Sequence, residues 1–366
     1  YLSFKMMSLE IDILGCFDID LNYLEEKGPI TAVDRTVHHT RYVADKLTKK
    51  KRDDARILKS FVRACHAYGD QCAVGRMGIT GVSLELIAIF SKSLDYAFNA
   101  LAQLVNKPLD PLNRSLSQLR EISTFKDDYI IIIDPTDYQR NIASSFTPRA
   151  YEWVKYSIGK LREISKLGNE NEVCNFFYES QIPTDKLPDW LMKHSFVREF
   201  ISDGSKHYTI LRDKLYRLAR RIQNALKTER TGEPSFGESL AEVYFEADRY
   251  SIGLLIEKHH IPSQYLRRGP PQNLVDAVTE FKKTHENVEV RDGFVWTVEE
   301  REWCDSQLLV NKILEENPIE GLSSTTKASK VSKKVLNVLY RYVVPIEPSF
   351  FDRITKVKDG DHESSQ

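Results

Sequence analysis

Residues 130–141 read IIIIDPTDYQRN, which combines an apolar run, a turn and two planar polar side chains. Four consecutive isoleucines are typical of a buried strand. The Asp-Pro-Thr-Asp segment that follows has the residues of a turn. Arg140 and Asn141 come just past this turn, at a rigid position that suits side chains recognising a ligand. An ion pair of Arg140 with Asp134 or Asp137, bracing the turn, is an alternative role that is compatible with the first.

The composition is that of a globular protein with balanced charge. The 366 residues are 41% hydrophobic, which is enough for a core divided among two or three domains. Because 52 basic residues are matched by 53 acidic ones, no overall field attracts nucleic acid, and such a partner has to bind local patches. Five scattered cysteines without a CxxC pair indicate reduced thiols and a cytoplasmic location. No stretch reaches the length of a membrane span.

Hydrophobic periodicity predicts a mixture of helices and strands. SLEIDIL (8–14) alternates apolar and acidic residues like a half-exposed strand, with Asp12 on the polar side. Helices are predicted, from apolar residues at helical spacing, over 53–68, 78–90, about 93–105, 147–164 and 211–226. LTKKKRDD (47–54) is expected to form a basic loop before the first of them. AEVYFEA (241–247) is expected to be a strand, and Asp292-Gly293 predicts a hairpin turn within 288–298.

Four stretches occur in an order and at spacings that are similar to one family. They are AVDRTVHHTRYV (32–43), RILKSFVRACHAYG (56–69), GITGVSLELI (78–87) and DPTDYQRNIASS (134–145). Together they resemble the archaeal, class I CCA-adding enzymes, which are tRNA nucleotidyltransferases, over roughly residues 8–310. YLRRGPP (265–271) and the hairpin after it are similar to the C-terminal region of that family. The resemblance implies that C, C and A are added to the 3′ end of tRNA from CTP and ATP, without a nucleic-acid template.

The resemblance assigns the metal and phosphate contacts to three residues. Asp12 takes the place of the third metal-binding carboxylate, and two Mg²⁺ ions would activate the 3′ hydroxyl and stabilise the departing pyrophosphate. Lys59 and Tyr68 match positions that contact the triphosphate. By residue type alone, Asp12 also fits an exposed strand position, and Lys59 fits an ordinary surface lysine.

The resemblance also implies three further contacts in the nucleotide site. Arg140 matches the residue that reads the incoming base, and Asn141 stands beside it. His39 matches another nucleotide-site position. His38 is its close rival, and a capping or core role is the alternative for either histidine.

The fold implied is α+β and multidomain. Residues 1–35 would end a polymerase-β-like nucleotidyltransferase palm, 36–147 would form a helical central domain, and 148–350 a C-terminal body and tail that bind tRNA. Residues 351–366 would be a polar tail, of which 358–366 is expected to be disordered. The residues predicted to contact tRNA are Arg217, Arg221, Arg267, Arg268 and Lys333. The partners implied are tRNA, CTP and ATP, and a homodimer is left open.

The sequence departs from the family at its beginning. The family's palm starts with a Gly-Ser loop and a nearby pair of carboxylates, and neither precedes the Asp12 strand. We therefore expect about the first hundred residues of the domain to be missing. Because one carboxylate holds two Mg²⁺ ions poorly, the catalytic competence of the chain is left open. Two other functions are also left open: a poly(A)-type polymerase, which would use A alone, and an RNA-binding protein that uses basic clusters such as 49–52.

Overall fold

The structure, a computed structural model, describes residues 2–7, 9–31, 33–325 and 327–356. The chain divides into two compact units, Tyr1–Ser180 and Gln181–Gln366. Each unit combines helices with small antiparallel sheets, so the predicted α+β fold class is confirmed. The palm remnant and the bounds of the four predicted segments stay predictions. The part of the polar tail from 357 to 366 lies outside the described residues.

The first unit consists mainly of helices. Its elements are β1 (Leu2–Met6), β2 (Leu9–Ile13), α1 (Leu21–Lys27), α2 (Asp34–Lys46), α3 (Lys49–Ala64), α4 (Gly81–Phe90), α5 (Leu94–Gln103), α6 (Leu116–Arg120), β3 (Ile133–Asp134), β4 (Asp137–Asn141), α7 (Pro148–Lys166) and α8 (Glu170–Asn175). The core lies where α3, α4, α5 and α7 pack together, with Leu58 and Phe61 of α3 fully buried. The predicted helices within this unit are confirmed, with shifts of a few residues at their ends.

The isoleucine run is buried, as its sequence predicts. Ile130 and Ile132 pack into the core between the helices, whereas Ile131 and Ile133 pack into a second cluster with Leu119. This alternation is that of an extended chain buried on both sides. The strand itself is shorter than predicted, because only Ile133 of the run belongs to β3. The backbones of Ile131 and Ile133 are hydrogen-bonded to Leu109, and the carbonyl of Ile132 accepts from the N–H of Ile142.

Arg140 and Asn141 follow the turn and belong to β4, which pairs with β3 as a hairpin. One local prediction is corrected by the structure. The basic stretch 47–54 is not a loop, since α3 already begins at Lys49. The ammonium of Lys51 donates to the carbonyls of Ala88, Ile89 and Ser91 at the end of α4, at 2.9, 2.7 and 2.5 Å. These carbonyls have no partner inside α4, and the cation satisfies them.

The second unit is built around a four-stranded antiparallel sheet. Its elements are α9 (Asp189–Lys193), β5 (Ser195–Ser202), α10 (Tyr208–Lys227), β6 (Ser239–Glu246), β7 (Arg249–Ile256), β8 (Gln264–Pro271), α11 (Val275–Thr284), β9 (Glu289–Arg291), β10 (Phe294–Glu300), α12 (Ser306–Glu316), β11 (Leu322–Thr325), α13 (Lys330–Val338) and α14 (Pro348–Lys356). A π-helical turn (Leu339–Val343) and a 3₁₀ turn (Val344–Ile346) connect α13 to α14. The large sheet has the order β11-β5-β7-β6, and the small one β8-β10-β9.

The large sheet is covered by α10 in one apolar cluster and by α13 in another. The predicted helix over 211–226 and the strand over 241–247 correspond to α10 and β6, and are confirmed. Asp292 and Gly293 both have positive φ, at 49° and 78°, between β9 and β10. The predicted two-residue hairpin turn is therefore confirmed as well.

Among the described residues, no helix is both long and apolar enough to cross a membrane.

Gly78 is held in a position that only glycine fits. A Cβ atom at this residue would lie 2.1 Å from the carbonyl oxygen of Ala67. Gly159, on the exposed side of α7, has nothing within 4 Å of its Cβ position. We expect Gly78→Ala to lower the free energy of unfolding by about 2–3 kcal/mol, because the backbone has to move. Urea titrations followed by circular dichroism measure this difference.

Gly159→Ala is the matched control for that substitution. Alanine is a better helix former than glycine, so this variant should gain about 0.5–1 kcal/mol. A Gly78→Ala protein as stable as the wild type would show that the segments around Ala67 and Gly78 are not in close contact.

Candidate nucleotide-binding site

The carboxylate of Asp134 joins three segments of the first unit. Its side chain is 0% exposed, at the end of β3. Oδ1 accepts hydrogen bonds from the backbone N–H and the hydroxyl of Thr136, at 2.9 and 2.7 Å. Oδ2 accepts from Nη1 of Arg140 at 2.9 Å and from Nε2 of His39 at 2.7 Å. The turn, the strand β4 and the helix α2 therefore meet on one side chain.

The hydrogen bonds keep this buried carboxylate ionised. Burial by itself raises the pKa of Asp134, but the hydrogen bond and charge of His39, with the two donors of Thr136, lower it to about 2. Because an ionised Asp134 only accepts hydrogen bonds, Nε2 of His39 has to carry the proton in this contact. The Arg140–Asp134 ion pair is the turn brace that the sequence left as an alternative.

A second ion pair attaches α2 to the same hairpin. Arg35 lies one helical turn before His39, so both side chains project from one face of α2. Nη2 of Arg35 donates to Oδ2 of Asp137 at 2.7 Å. The hairpin of β3 and β4 is thus held against α2 through Asp134 and Asp137 together.

On another side, α2 holds the segment that follows β2. Nε2 of His38 contacts the carbonyl of Ile19 at 2.9 Å. Oδ1 of Asp34, which is buried, accepts from the backbone N–H of Phe17 at 2.9 Å. The two adjacent histidines therefore have different partners: His38 holds the segment after β2, and His39 holds the hairpin.

Lys59 and Tyr68 converge on the first residue of α4. A Cβ atom at Gly81 would lie 2.6 Å from the Tyr68 hydroxyl and 3.5 Å from Nζ of Lys59. Thr80, which precedes the helix, makes no side-chain cap to it. The first N–H groups of a helix carry partial positive charge and attract anions. An ammonium and a hydroxyl beside these N–H groups form an arrangement that suits a phosphate.

Two charged neighbours complete this second cluster. Glu85, one turn into α4, accepts a hydrogen bond from Nζ of Lys59 at 2.5 Å. The guanidinium of Arg63 lies over the Tyr68 ring, 4.7 Å from its centroid. The Lys59–Glu85 pair is partly exposed, at 28% and 22% of the two side chains, so the ammonium is accessible to a ligand.

A polar cleft of about 530 Å³ opens beside Arg140 and is lined also by Arg35, Gln139 and Asn141. This volume is within the range of small-molecule sites. Arg140 is 37% exposed, and Nη1 is its only guanidinium nitrogen with a hydrogen bond in the described part of the chain. The guanidinium has five N–H donors, so further donors are available to a ligand in the cleft.

Asn141 is buried, and its side-chain amide is hydrogen-bonded mainly to backbone groups. Its Oδ1 accepts from the N–H groups of Ile132 and Ala143, at 2.8 and 2.9 Å. Its Nδ2 donates to Asp128 and to the carbonyl of Ile130, both at 2.8 Å. The amide thus has four bonds, and a direct contact with a nucleotide would have to replace one of them. Its place in the nucleotide site stays a prediction.

Residues 53–167, which include Lys59, Tyr68 and Arg140, match the family described as tRNA nucleotidyltransferase, second domain. The CCA-adding enzyme of Saccharolobus islandicus is 24% identical over 313 residues, which are 85% of this chain and 69% of that protein. The CCA-adding enzyme of Sulfolobus acidocaldarius is 26% identical over 315 residues, 85% of this chain and 68% of that protein. The chain is thus similar to CCA-adding enzymes over 85% of its length. The resemblance that the four sequence motifs indicated is therefore confirmed over most of the chain.

A third CCA-adding enzyme, that of Thermococcus gammatolerans, is 29% identical over 241 residues, 63% of this chain and 50% of that protein. The family match covers the helices that carry both clusters, except α2. Since α2 packs against α4 and is bonded to the hairpin, it connects the two clusters. Four of the six nucleotide-site and metal residues predicted from the sequence thus fall in two groups, His39 with Arg140 and Lys59 with Tyr68.

Asp12 lies on β2, which carries no residue of either group. It is exposed on β2, opposite Ser3 in the pairing with β1. No group of three or more His, Cys, Asp or Glu side chains in the described ranges is arranged to hold a metal ion. Its role as a metal ligand stays a prediction.

The predicted tRNA contacts all lie in the second unit. Arg217 and Arg221 are exposed one turn apart on α10, and Lys333 is exposed on α13. Arg268 is exposed on β8, with its guanidinium 3.8 Å from the centroid of the Phe294 ring. Arg267 is only partly exposed, and Glu299 accepts its hydrogen bond at 2.6 Å. Its charge is therefore already offset by a neighbouring carboxylate.

Sequence reasoning missed two residues that complete the clusters. Glu85 belongs to the quoted GITGVSLELI motif, but only the packing of α3 against α4 brings it to Lys59. Arg35 stands four residues before His39, and this spacing would have placed both on one helix face if α2 had been recognised. Their partners, Lys59 and Asp137, are distant in sequence.

The low pKa of Asp134 predicts a loss of stability in acid. Its folded-state pKa, about 2, is below the ordinary value of 3.8, so the unfolded chain binds the proton more tightly. The stability that this adds is present above about pH 4 and is lost as the pH falls toward 2. This contribution of Asp134 to the free energy of unfolding amounts to about 2 kcal/mol. The free energy of unfolding of wild type should therefore approach that of Asp134→Asn as the pH falls from about 5 to about 2.

Urea titrations of both proteins across this pH range measure the difference. A gap between the two proteins that stays constant down to pH 2 would contradict the assignment of an ionised, hydrogen-bonded Asp134.

Proposed function

We propose that the chain acts as a tRNA nucleotidyltransferase that adds C, C and A to the 3′ end of tRNA, using CTP and ATP without a nucleic-acid template. The observation that carries this proposal is the pair of clusters in the first unit. One offers cations and helix N–H groups to a phosphate, and the other offers a fixed guanidinium beside a cleft. The relatives, which are named CCA-adding enzymes, support the reaction proposed.

The triphosphate would bind over the N-terminus of α4. Lys59 supplies a point charge, Tyr68 a hydroxyl donor, and the first N–H groups of the helix a partial positive charge. Glu85 holds the ammonium of Lys59 at this end of α4. A bound phosphate would compete with Glu85 for the same ammonium. One of these two acceptors therefore holds Lys59 in place, whether or not a nucleotide is bound.

The base would be read by Arg140 in the polar cleft. A guanidinium has donors only, so it favours bases that present acceptors on the edge that faces it. Cytosine and adenine each have an unprotonated ring nitrogen on their pairing edge, whereas the corresponding nitrogen of uracil and guanine carries hydrogen. Hydrogen-bond donors in fixed positions therefore favour the binding of C and A over that of U and G. Untemplated CCA addition needs this discrimination.

Nucleotidyl transfer generally uses divalent metal ions, and we propose Mg²⁺, with Asp12 as one ligand. The described residues do not form a complete site, because they bring no group of three candidate ligands together. Mg²⁺ binds through several oxygen ligands in octahedral geometry, so Asp12 would need partners beyond those that the structure describes. We therefore propose that the described residues bind and select the nucleotide.

Transfer RNA would bind local basic patches of the second unit. Arg217, Arg221, Arg268 and Lys333 are exposed, and contacts from such side chains to phosphates give binding that weakens with salt. Recognition of an RNA helix by shape and backbone needs no overall positive charge.

The direct test mixes the chain with a tRNA that lacks its CCA end, with CTP, ATP and Mg²⁺. The 3′ extension and a gel shift are followed together. Addition of C, C and A confirms the proposal. Extension by A alone would identify a poly(A)-type enzyme instead, and binding of tRNA without nucleotide selection would leave an RNA-binding protein.

Arg140→Ala tests the base-reading role. We expect the preference for CTP over UTP, measured as a ratio of dissociation constants in the presence of the tRNA, to fall about tenfold or more. Affinity for the tRNA itself should change less than about twofold. Arg56→Ala is the control, because Arg56 is an exposed arginine of the same unit, and its ion pair within the described residues is with Asp53. Equal loss of affinity for all four triphosphates in a folded Arg140→Ala protein would contradict the role.

A further inference from the structure

Two side chains that the sequence resemblance assigns to the nucleotide site share one acceptor atom. Nη1 of Arg140 and Nε2 of His39 both donate to Oδ2 of Asp134. Arg140 comes from β4 and His39 from α2, so no local sequence rule makes them neighbours. Their relative position depends on the carboxylate between them.

We propose that Asp134 is a positioning residue for nucleotide selection, which holds Arg140 and His39 in a single arrangement so that the guanidinium presents its remaining donors to the base in one direction. This inference rests on the proposed function and extends it. Asp134 does not face the nucleotide itself, because its side chain is fully buried. It acts through Arg140.

The carboxylate is itself prevented from turning. Its other oxygen accepts two hydrogen bonds from Thr136, one from the backbone and one from the hydroxyl. Rotation of the carboxylate would break both bonds inside the protein, where lost partners are costly. The position of Oδ2 is therefore set by the tight turn between β3 and β4.

A fixed carboxylate restricts the arginine. An arginine on the surface has several rotatable bonds and adapts its donors to different bases. Arg140 is anchored by a charge-assisted bond at Nη1, and its planar guanidinium then has few orientations left. Selection against uracil and guanine depends on this rigidity, because a mobile guanidinium would turn toward their carbonyl oxygens.

Asp110 provides a matched control that does not line the cleft. It is also buried, and Oδ2 accepts from Nε of Arg114 at 2.7 Å. Nη2 of Arg114 donates to the carbonyl of Tyr138 in β4 at 3.2 Å, so this ion pair also braces the hairpin. If buried ion pairs only brace the hairpin, Asp134→Asn and Asp110→Asn should have similar effects on nucleotide selection.

The test measures dissociation constants for CTP, ATP, GTP and UTP with a tRNA that lacks its CCA end. The proteins are the full chain as wild type, Asp134→Asn, Arg140→Ala, the double variant and Asp110→Asn. We expect Asp134→Asn to reduce the CTP:UTP and ATP:GTP affinity ratios about tenfold, with tRNA affinity within about twofold of wild type. In the Arg140→Ala background, Asp134→Asn should reduce these ratios no further. Asp110→Asn should change them less than about twofold.

Several results would overturn the inference. Wild-type ratios in a folded Asp134→Asn protein, or independent losses that multiply in the double variant, would show that Asp134 does not act through Arg140. If Asp134→Asn does not fold, Thr136→Val is measured instead, because it removes the hydroxyl that fixes Oδ1. A loss of about threefold in the ratios supports the inference, and unchanged ratios overturn it. Wild type without any preference among the four nucleotides would instead overturn the proposed function, and the inference with it.

Discussion

An ionised carboxylate inside a protein has to keep its hydrogen bonds, because leaving water without compensation is costly. Asp134 satisfies this requirement with four donors, which come from the turn, from β4 and from α2. These hydrogen bonds to Asp134 hold the turn, β4 and α2 together. The hairpin cannot move away from α2, and Arg140 cannot leave the carboxylate, without exposing a buried charge to an apolar surrounding.

Helix α2 connects Asp134 to other parts of the first unit. One part of the helix is bonded to the segment after β2 through His38 and Asp34, and another face is bonded to the hairpin through Arg35 and His39. The helix also packs against α4, whose first residue lies under Lys59 and Tyr68. The proposed binding sites for phosphate and for a base therefore lie on elements that share one neighbour. The second unit uses a comparable device, where buried Glu199 of β5 accepts from Ser329 and Ser332 at the start of α13.

Sequence patterns predicted those features that depend on neighbouring residues. The apolar stripes of α3 and α10, the Asp292-Gly293 turn and the burial of the isoleucine run are properties of short windows, and the structure confirms them. The start of α3 was missed because the partners of Lys51 are carbonyls at the end of α4. The His39–Asp134 and Lys59–Glu85 contacts join residues 95 and 26 positions apart, so no local period indicates them. The Arg140–Asp134 pair was open to sequence reasoning, because both residues flank one turn.

The central claim is that an arginine anchored on a buried carboxylate selects the base while Lys59 and Tyr68 bind the phosphates. A crystal structure of the chain with CTP and a tRNA that lacks its CCA end tests it most directly. We expect the triphosphate at the N-terminus of α4, with cytosine against the guanidinium of Arg140 and the Nη1 bond to Asp134 intact. A nucleotide bound away from Lys59 and Tyr68, or an Arg140 that leaves Asp134 when CTP binds, would contradict it.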